Sequence, residues 1–246
     1  MTSTPIVQSF IAGQWIGQNA HQTLNSAING DAVFSTHSEA IDFSSSLDYA
    51  KTIGHKSLLA LDFQQRATLL RNLGKYLMEH KESLYQISAH TGATRNDSWI
   101  DIEGGIATLF AYASMGRNEL PSGNTIHEGD PVQLGKVGQF FGSHILVPKQ
   151  GAAVHINAFN FPIWGMLEKF APNFIAGVPA IVKPASQTSY LTEACVKLMH
   201  QSNLLPLGAI QLIIGSTGDL LDRLDTQDIV TFTGSADTAR MLKSNA

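Results

Sequence analysis

The stretch from Ala153 to Ser186, AVHINAFNFPIWGMLEKFAPNFIAGVPAIVKPAS, restricts the fold more than any other. Val154 and Ile156 mark an apolar strand, and Asn157-Ala158-Phe159-Asn160-Phe161-Pro162 is a polar turn after it. Ile163, Met166, Leu167, Phe170, Ala171 and Phe174 then recur on one helical face. Ala180-Ile181-Val182 is a second buried strand, ending in Lys183-Pro184. Strand, loop, helix and strand make a βαβ unit, and parallel strands joined this way frame a ligand crevice at their carboxyl ends. Asn160 and Lys183 stand just past those ends. Pro162 suits the first turn of the helix and Gly177 its end, whereas Pro172 inside the pattern predicts a kink or a restart.

The alternation continues along the chain. Strands are expected at about 152–156, 179–183, 209–214 and 228–232, with helices between them and after the last. Leu191, Ala194, Cys195, Leu198 and Met199 form the buried face of one of these helices. The fold class is α/β, a Rossmann-like, mainly parallel sheet with helices on both faces. Upstream, 46–118 reads as a helical layer covering that sheet. Leu69, Leu70, Leu73, Tyr76 and Leu77 carry one helix behind an Asp62–Gln65 cap, and Leu84 and Ile87 continue an apolar face in the next. A third helix runs from about 96 to 114 despite Gly104-Gly105, a pair that suits close backbone packing. Ser9 to Ile16 reads as a strand with a turn at Ala12-Gly13-Gln14, and Ala27-Ile28 and Ala32-Val33-Phe34 as short strands around Asn29-Gly30-Asp31. The segment 119–130 reads as loop, and Gln139-Phe140-Phe141 and His144-Ile145-Leu146-Val147 as hairpin arms around Gly142-Ser143. Those arms are apolar and need a partner strand rather than solvent. The resulting division is 1–125 for the helical part, 126–150 for the protruding hairpin and 151–246 for the Rossmann-like part.

Several classes of function lose support from composition. A formal net charge of −4 gives no electrostatic footprint for nucleic acid or an anionic membrane. The start, MTSTPIVQSFIAGQ, lacks the basic and apolar regions of a signal peptide, and no apolar run reaches bilayer length. A single cysteine forms no intrachain disulfide, and the default location is the cytoplasm. The nine histidines show no metal-ligand spacing, so no metal site is expected, and no Ser-His-Asp arrangement is visible.

Individually, the chemical signals are weak. No G-x-G-x-x-G follows any of the strands. Gly215-Ser216-Thr217-Gly218 and Phe232-Thr233-Gly234-Ser235 are turns where backbone amides and a helix N-terminus suit a phosphate, but an ordinary βα turn or helix cap looks the same. Asn160 has an amide that suits a developing oxyanion, but on local sequence alone an Asx turn before Pro162 is the stronger account. Lys183 reads either as a phosphate or ribose ligand or as a solvated strand end. Lys169 and Glu168 suit a proton relay but read first as a solvated helix face, His155 reads as packed or lining the site, and Cys195 as a small apolar filler.

In order and spacing the pieces are specific. Asn160-Phe161-Pro162, Lys169-Phe170-Ala171-Pro172, Lys183-Pro184 and Phe232-Thr233-Gly234-Ser235 together resemble the N-terminal half of the aldehyde dehydrogenases, over essentially the whole chain. Within that family the stretches 91–95, 101–106, 155–162 and 230–235 most resemble the bifunctional PaaZ type of phenylacetate degradation. That type joins an aldehyde dehydrogenase to an enoyl-CoA-hydratase-like domain; it opens the ring of oxepin-CoA and oxidises the resulting semialdehyde with NADP. The resemblance implies that Asn160 helps hold the oxyanion of a thiohemiacetal. It also implies that Ile156, Asn157, Phe159, Lys183, Ser186, Gly215, Gly234 and Ser235 form the cofactor site. Lys183 would contact the adenosine ribose or its phosphate and Ser235 the pyrophosphate, with the 139–147 hairpin as a homo-oligomerisation arm.

Two departures from the family pattern carry expectations. Many NAD-preferring members have glutamate where this chain has Ser186. Serine removes a charge that would repel a 2′-phosphate, so NADP is expected over NAD. The family's nucleophilic cysteine and general-base glutamate lie further along than Ala246. The expectation is therefore that these 246 residues form the cofactor-binding portion of an NADP-dependent enzyme for an acyl-CoA semialdehyde, inactive alone. A non-catalytic nucleotide-binding remnant and an aldehyde dehydrogenase of other substrate are the alternatives.

Overall fold

A computed structural model describes residues 4–244. Its centre is a six-stranded sheet built from β1 (Ser9–Ile11), β2 (Gln14–Ile16), β7 (Ala153–Ile156), β8 (Ala180–Lys183), β9 (Ile210–Leu212) and β10 (Ile229–Phe232). Their order is β10-β7-β8-β9-β1-β2. The first four run parallel, and β1 and β2 close one side antiparallel. The residues joining β1 to β2 are Ala12 and Gly13, at φ 49° and 79°. Positive φ at both positions is what a tight two-residue hairpin needs to match strand twist.

Apolar side chains leave both faces of the sheet. Val182 and Leu212 enter the larger core with helices α3 (Phe63–Glu79), α5 (Arg95–Asn118), α6 (Trp164–Ala176) and α7 (Ser189–Gln201). Val154, Ile181 and Ile213 enter the smaller one with Leu47 of α1 (Phe43–Tyr49) and with Ala50. A short π-helical turn, Ala50–Gly54, leads from α1 into α2 (His55–Leu59). The expected Rossmann-like α/β sheet with a helical layer is the architecture observed.

Helix boundaries follow local chemistry. Asp62 accepts from Gln65 N–H while the Gln65 side chain reaches back to Asp62 N–H, a capping box that starts α3. α4 (Lys81–Ser88) follows. Thr94 and Asp97 form a second box at the start of α5. The glycine pair inside α5 permits a close approach: a Cβ on Gly105 would lie 2.9 Å from Trp164 Cα, and one on Gly104 2.5 Å from its ring. α6 ends at Gly177, at φ 80°. It runs without interruption through Pro172, where the sequence predicted a kink or restart. Asn173 Nδ2 donates to the Lys169 carbonyl at 2.8 Å in the turn beside that proline.

Three expectations are corrected. Ala27-Ile28 lie in a turn, because the second small hairpin is β3 (Ala20–Asn25) against β4 (Ala32–His37), closed by Ser26 N–H to Asp31 O at 2.8 Å. The segment 119–130 is not all loop, since β5 (Ile126–Gln133) begins within it. β5 pairs with β6 (Phe141–Leu146), so Gly142-Ser143 sit inside a strand and the bend falls over 134–140. The last helix is α8 (Ala236–Ser244). Among the described residues no helix is long and apolar enough to cross a membrane.

Candidate functional site

The carboxyl ends of the parallel strands line up in one row. Ile156 of β7 is paired with Lys183 of β8 on one side and Phe232 of β10 on the other. Lys183 and Phe232 are thus about 10 Å apart across two strand spacings. Backbone bonds carry the alignment past the strands: Asn157 N–H donates to Lys183 O and Thr233 N–H to Ile156 O. The predicted residues after β10, β7, β8 and β9 therefore follow one edge of the sheet.

A cleft of about 670 Å³ opens at the β8–β9 end of this row. Lys183, Ser186 and Gly215 line it, with His37, Glu39 and Phe43 opposite. Burial pushes the Lys183 ammonium below its ordinary range. No carboxylate or carbonyl of the described residues partners it. Gly215 sits at φ 101°, and a Cβ built there would meet nothing within 4 Å. An unpaired ammonium, a hydroxyl and a bare turn of backbone form a donor set for sugar hydroxyls or a phosphate.

The other predicted residues lie outside this cleft. Ile156 packs with Ile181 in the smaller core beneath it. Asn157 is buried, and neither atom of its amide has a hydrogen-bond partner among the described residues. Phe159 is exposed, and its carbonyl accepts from Thr188 Oγ1. Gly234 and Ser235 are exposed at the start of α8, where Ser235 Oγ accepts from Thr238 N–H at 3.2 Å. Asn160 is exposed, and no Asx turn forms: its side chain makes no hydrogen bond to the described residues and is free to donate.

Two readings of single residues change. Lys169 is not on a solvated face: it is 9 % exposed, and its Nζ donates to Gly165 O and Glu168 Oε1 across the inner side of α6. A histidine-based relay does exist. His37 Nδ1 lies 3.0 Å from Glu39 Oε2, and His37 Nε2 lies 2.8 Å from Ser9 Oγ. The N–H groups of Gln18 and Asn19 hold Glu39 ionised, with its carboxyl down at about 2. Ser9 Oγ also accepts from Ile214 N–H, and Ser9 is fully buried. No substrate reaches that hydroxyl, so the relay braces the wall of the cleft rather than acting as a nucleophile. It joins β1, β4 and the turn at Gly215, elements far apart in sequence, and residue spacing alone gives no sign of it.

Cys195 is fully buried in α7, and burial pushes its thiol up, away from the reactive thiolate. Its reading as an apolar filler holds. Among the described residues no three metal-ligating side chains come together.

A family model described as "Aldehyde dehydrogenase family" matches residues 16–246. A 3,4-dehydroadipyl-CoA semialdehyde dehydrogenase of Aromatoleum evansii is 39% identical over 239 residues, covering 96% of this chain and 46% of that protein. The NADP(+) succinate-semialdehyde dehydrogenase GabD of Escherichia coli (strain K12) is 26% identical, covering 96% and 48%. Among solved structures, betaine aldehyde dehydrogenase from Staphylococcus aureus in complex with NAD+ superposes with a TM-score of 0.80 at 20% identity, covering 98% of this chain and 47% of that one. An NADP dependent enzyme of E. coli gives 0.76 at 22%, covering 97% and 49%. The chain thus spans about half the length of the relatives it matches.

Proposed function

Because the chain belongs to the aldehyde dehydrogenase family, we propose that it is the cofactor-binding portion of an NADP-preferring enzyme that oxidises an acyl-CoA semialdehyde in aromatic catabolism of the phenylacetate type. The observation that carries this is the cleft at the ends of β8 and β9, where Lys183 is a half-buried cation without a counter-charge among the described residues. Lys183 and Ser186 would hold the adenosine ribose and its 2′-phosphate, and the Gly215 turn leaves backbone open to the same group. Ile156, Asn157 and Phe159 would border the cofactor along β7, and Gly234 and Ser235 would meet the pyrophosphate at the start of α8. The division into 1–125, 126–150 and 151–246 follows the same plan.

The bound dinucleotide supplies a hydride acceptor. This chain's residues bind it, and Asn160 holds a free side-chain amide beyond β7 for an oxyanion. The CoA-linked aldehyde is proposed from the 39% identical relative, whose name specifies such a substrate. The proposed thiol nucleophile and general base lie outside these residues, since Cys195 is buried and protonated. The purified chain is therefore expected to bind NADPH without oxidising an acyl-CoA semialdehyde. Turnover by the purified chain would contradict this reading, and its loss in Cys195→Ala would place the nucleophile at Cys195.

A second reading, a nucleotide-binding remnant without catalysis, shares the same cleft. The reading frame after Ala246 separates them: a cysteine-bearing catalytic domain in frame supports the first, a stop codon the second.

A further inference from the structure

The loop that carries Asn160 is held from a distant helix. It ends where α6 begins, and the first backbone donors of a helix have no partner inside it. Pro162 has no N–H to satisfy. The next two donors, Ile163 N–H and Trp164 N–H, both go to Asp101 of α5, at 3.1 and 2.8 Å to Oδ1. Asp101 is 4 % exposed, so both bonds are sheltered from water. The residue at the N-cap itself, Ile163, has no side chain able to cap.

The same turn of α5 carries the two glycines. Gly105 brings the α5 backbone within reach of the Trp164 backbone, and Gly104 makes room for its ring. Asp101, Gly104 and Gly105 thus lie along one face of α5, at three- and four-residue steps, and all three meet the start of α6. A carboxylate at that end also complements the helix dipole.

We propose that Asp101, seated by Gly104 and Gly105, is the positioning residue for Asn160: it fixes the start of α6 and so where the Asn160 amide points. The inference rests on the reading of Asn160 as an oxyanion donor. The position of Asn160 is nevertheless measurable whether or not that reading holds. Desolvation raises the Asp101 carboxyl to about 6 against the pull of the two N–H groups. Its charge therefore changes near neutrality. The ionisable group coupled to it is Cys195 on α7, whose thiol burial keeps neutral, and Ile163 and Trp164 present only uncharged groups from α6.

The test is amide NMR on the 246-residue chain with Asp101→Asn and Asp101→Leu. In the unaltered chain the Asn160 side-chain amide and the Ile163 and Trp164 amides are expected to titrate together, with a midpoint near 6. Asp101→Asn should abolish that titration and leave the Asn160 signals close to their native positions, because the side-chain carbonyl still accepts. Asp101→Leu should move them and speed exchange of the Ile163 and Trp164 amides at least about tenfold. NADPH affinity should stay within about twofold in Asp101→Asn, which leaves the 157–162 loop in place and does not touch Lys183, Ser186 or Gly215. An Asn160 amide that ignores both pH and the loss of the carboxylate would overturn the proposal. If Asp101→Leu does not fold, the titration and Asp101→Asn decide alone. Failure of the oxyanion reading has a separate signature: activity of a complete enzyme indifferent to Asn160→Ala.

Discussion

His155 and Asp101 show how single buried ionisable groups set the response to pH. His155 is fully buried on β7, its Nε2 3.1 Å from Asn173 Nδ2. Desolvation first, and the Lys169 charge second, lower it to about 3. Its folded pKa lies below its unfolded value near 6.5, so the neutral ring's contribution is complete above 6.5 and is lost as pH falls toward 3. Asp101 works in the opposite sense over a narrower window: its folded pKa of about 6 makes stability fall as pH rises from about 4 to 6. Between about pH 4 and 6 the two slopes oppose each other and nearly cancel. Urea unfolding midpoints are therefore expected to change little over that range, whereas in His155→Gln they should rise as pH falls from about 6 to 4; a variant as flat as the unaltered chain would assign the balance to other groups. At this scale the motifs around them single out Asn160, Lys183 and Ser235 as candidates. Asp101 was not, because its partners, Ile163 and Trp164, lie 62 and 63 residues away. The Ser9–His37–Glu39 relay was hidden for the same reason.

Elements were legible wherever a local signal carried them. The Asp62–Gln65 box started α3, and apolar runs bounded by glycine or proline gave β7, β8 and β10. The protruding hairpin was misplaced because its first arm, IHEGDPVQ, is polar and carries a proline, so it does not alternate like a strand. Gly142 then looked like the turn, although it sits opposite Val132 in the ladder. The Gly104-Gly105 pair, costly to a helix in isolation, is explained by the packing of α5 on α6. Gly105→Ala should therefore destabilise the chain by about 1–3 kcal/mol through overpacking against the Trp164 backbone, despite alanine's better helix propensity. A thermal melt should show a fall of several degrees. An unchanged or higher midpoint would mean that the two helices separate without cost.

For the molecule as a whole, apolar surface lies where a second chain is proposed to pack. Val132, Val137, Phe140 and Phe141 of the hairpin are more than half exposed. Sedimentation should show self-association that Phe140→Ser with Phe141→Ser abolishes while the melting temperature stays nearly constant. An unchanged mass in that double variant would remove the hairpin from the interface. The central claim is that Lys183, Ser186 and Gly215 form a site for the adenosine end of NADP. Its most direct measurement is a paired fluorescence titration of the chain with NADPH and NADH, repeated for Lys183→Ala. NADPH should bind more tightly than NADH. The lysine variant should lose about ten- to a hundredfold for NADPH, the range of one charge-assisted contact, and distinctly less for NADH. Tighter binding of NADH, or equal loss for both nucleotides, would contradict the assignment.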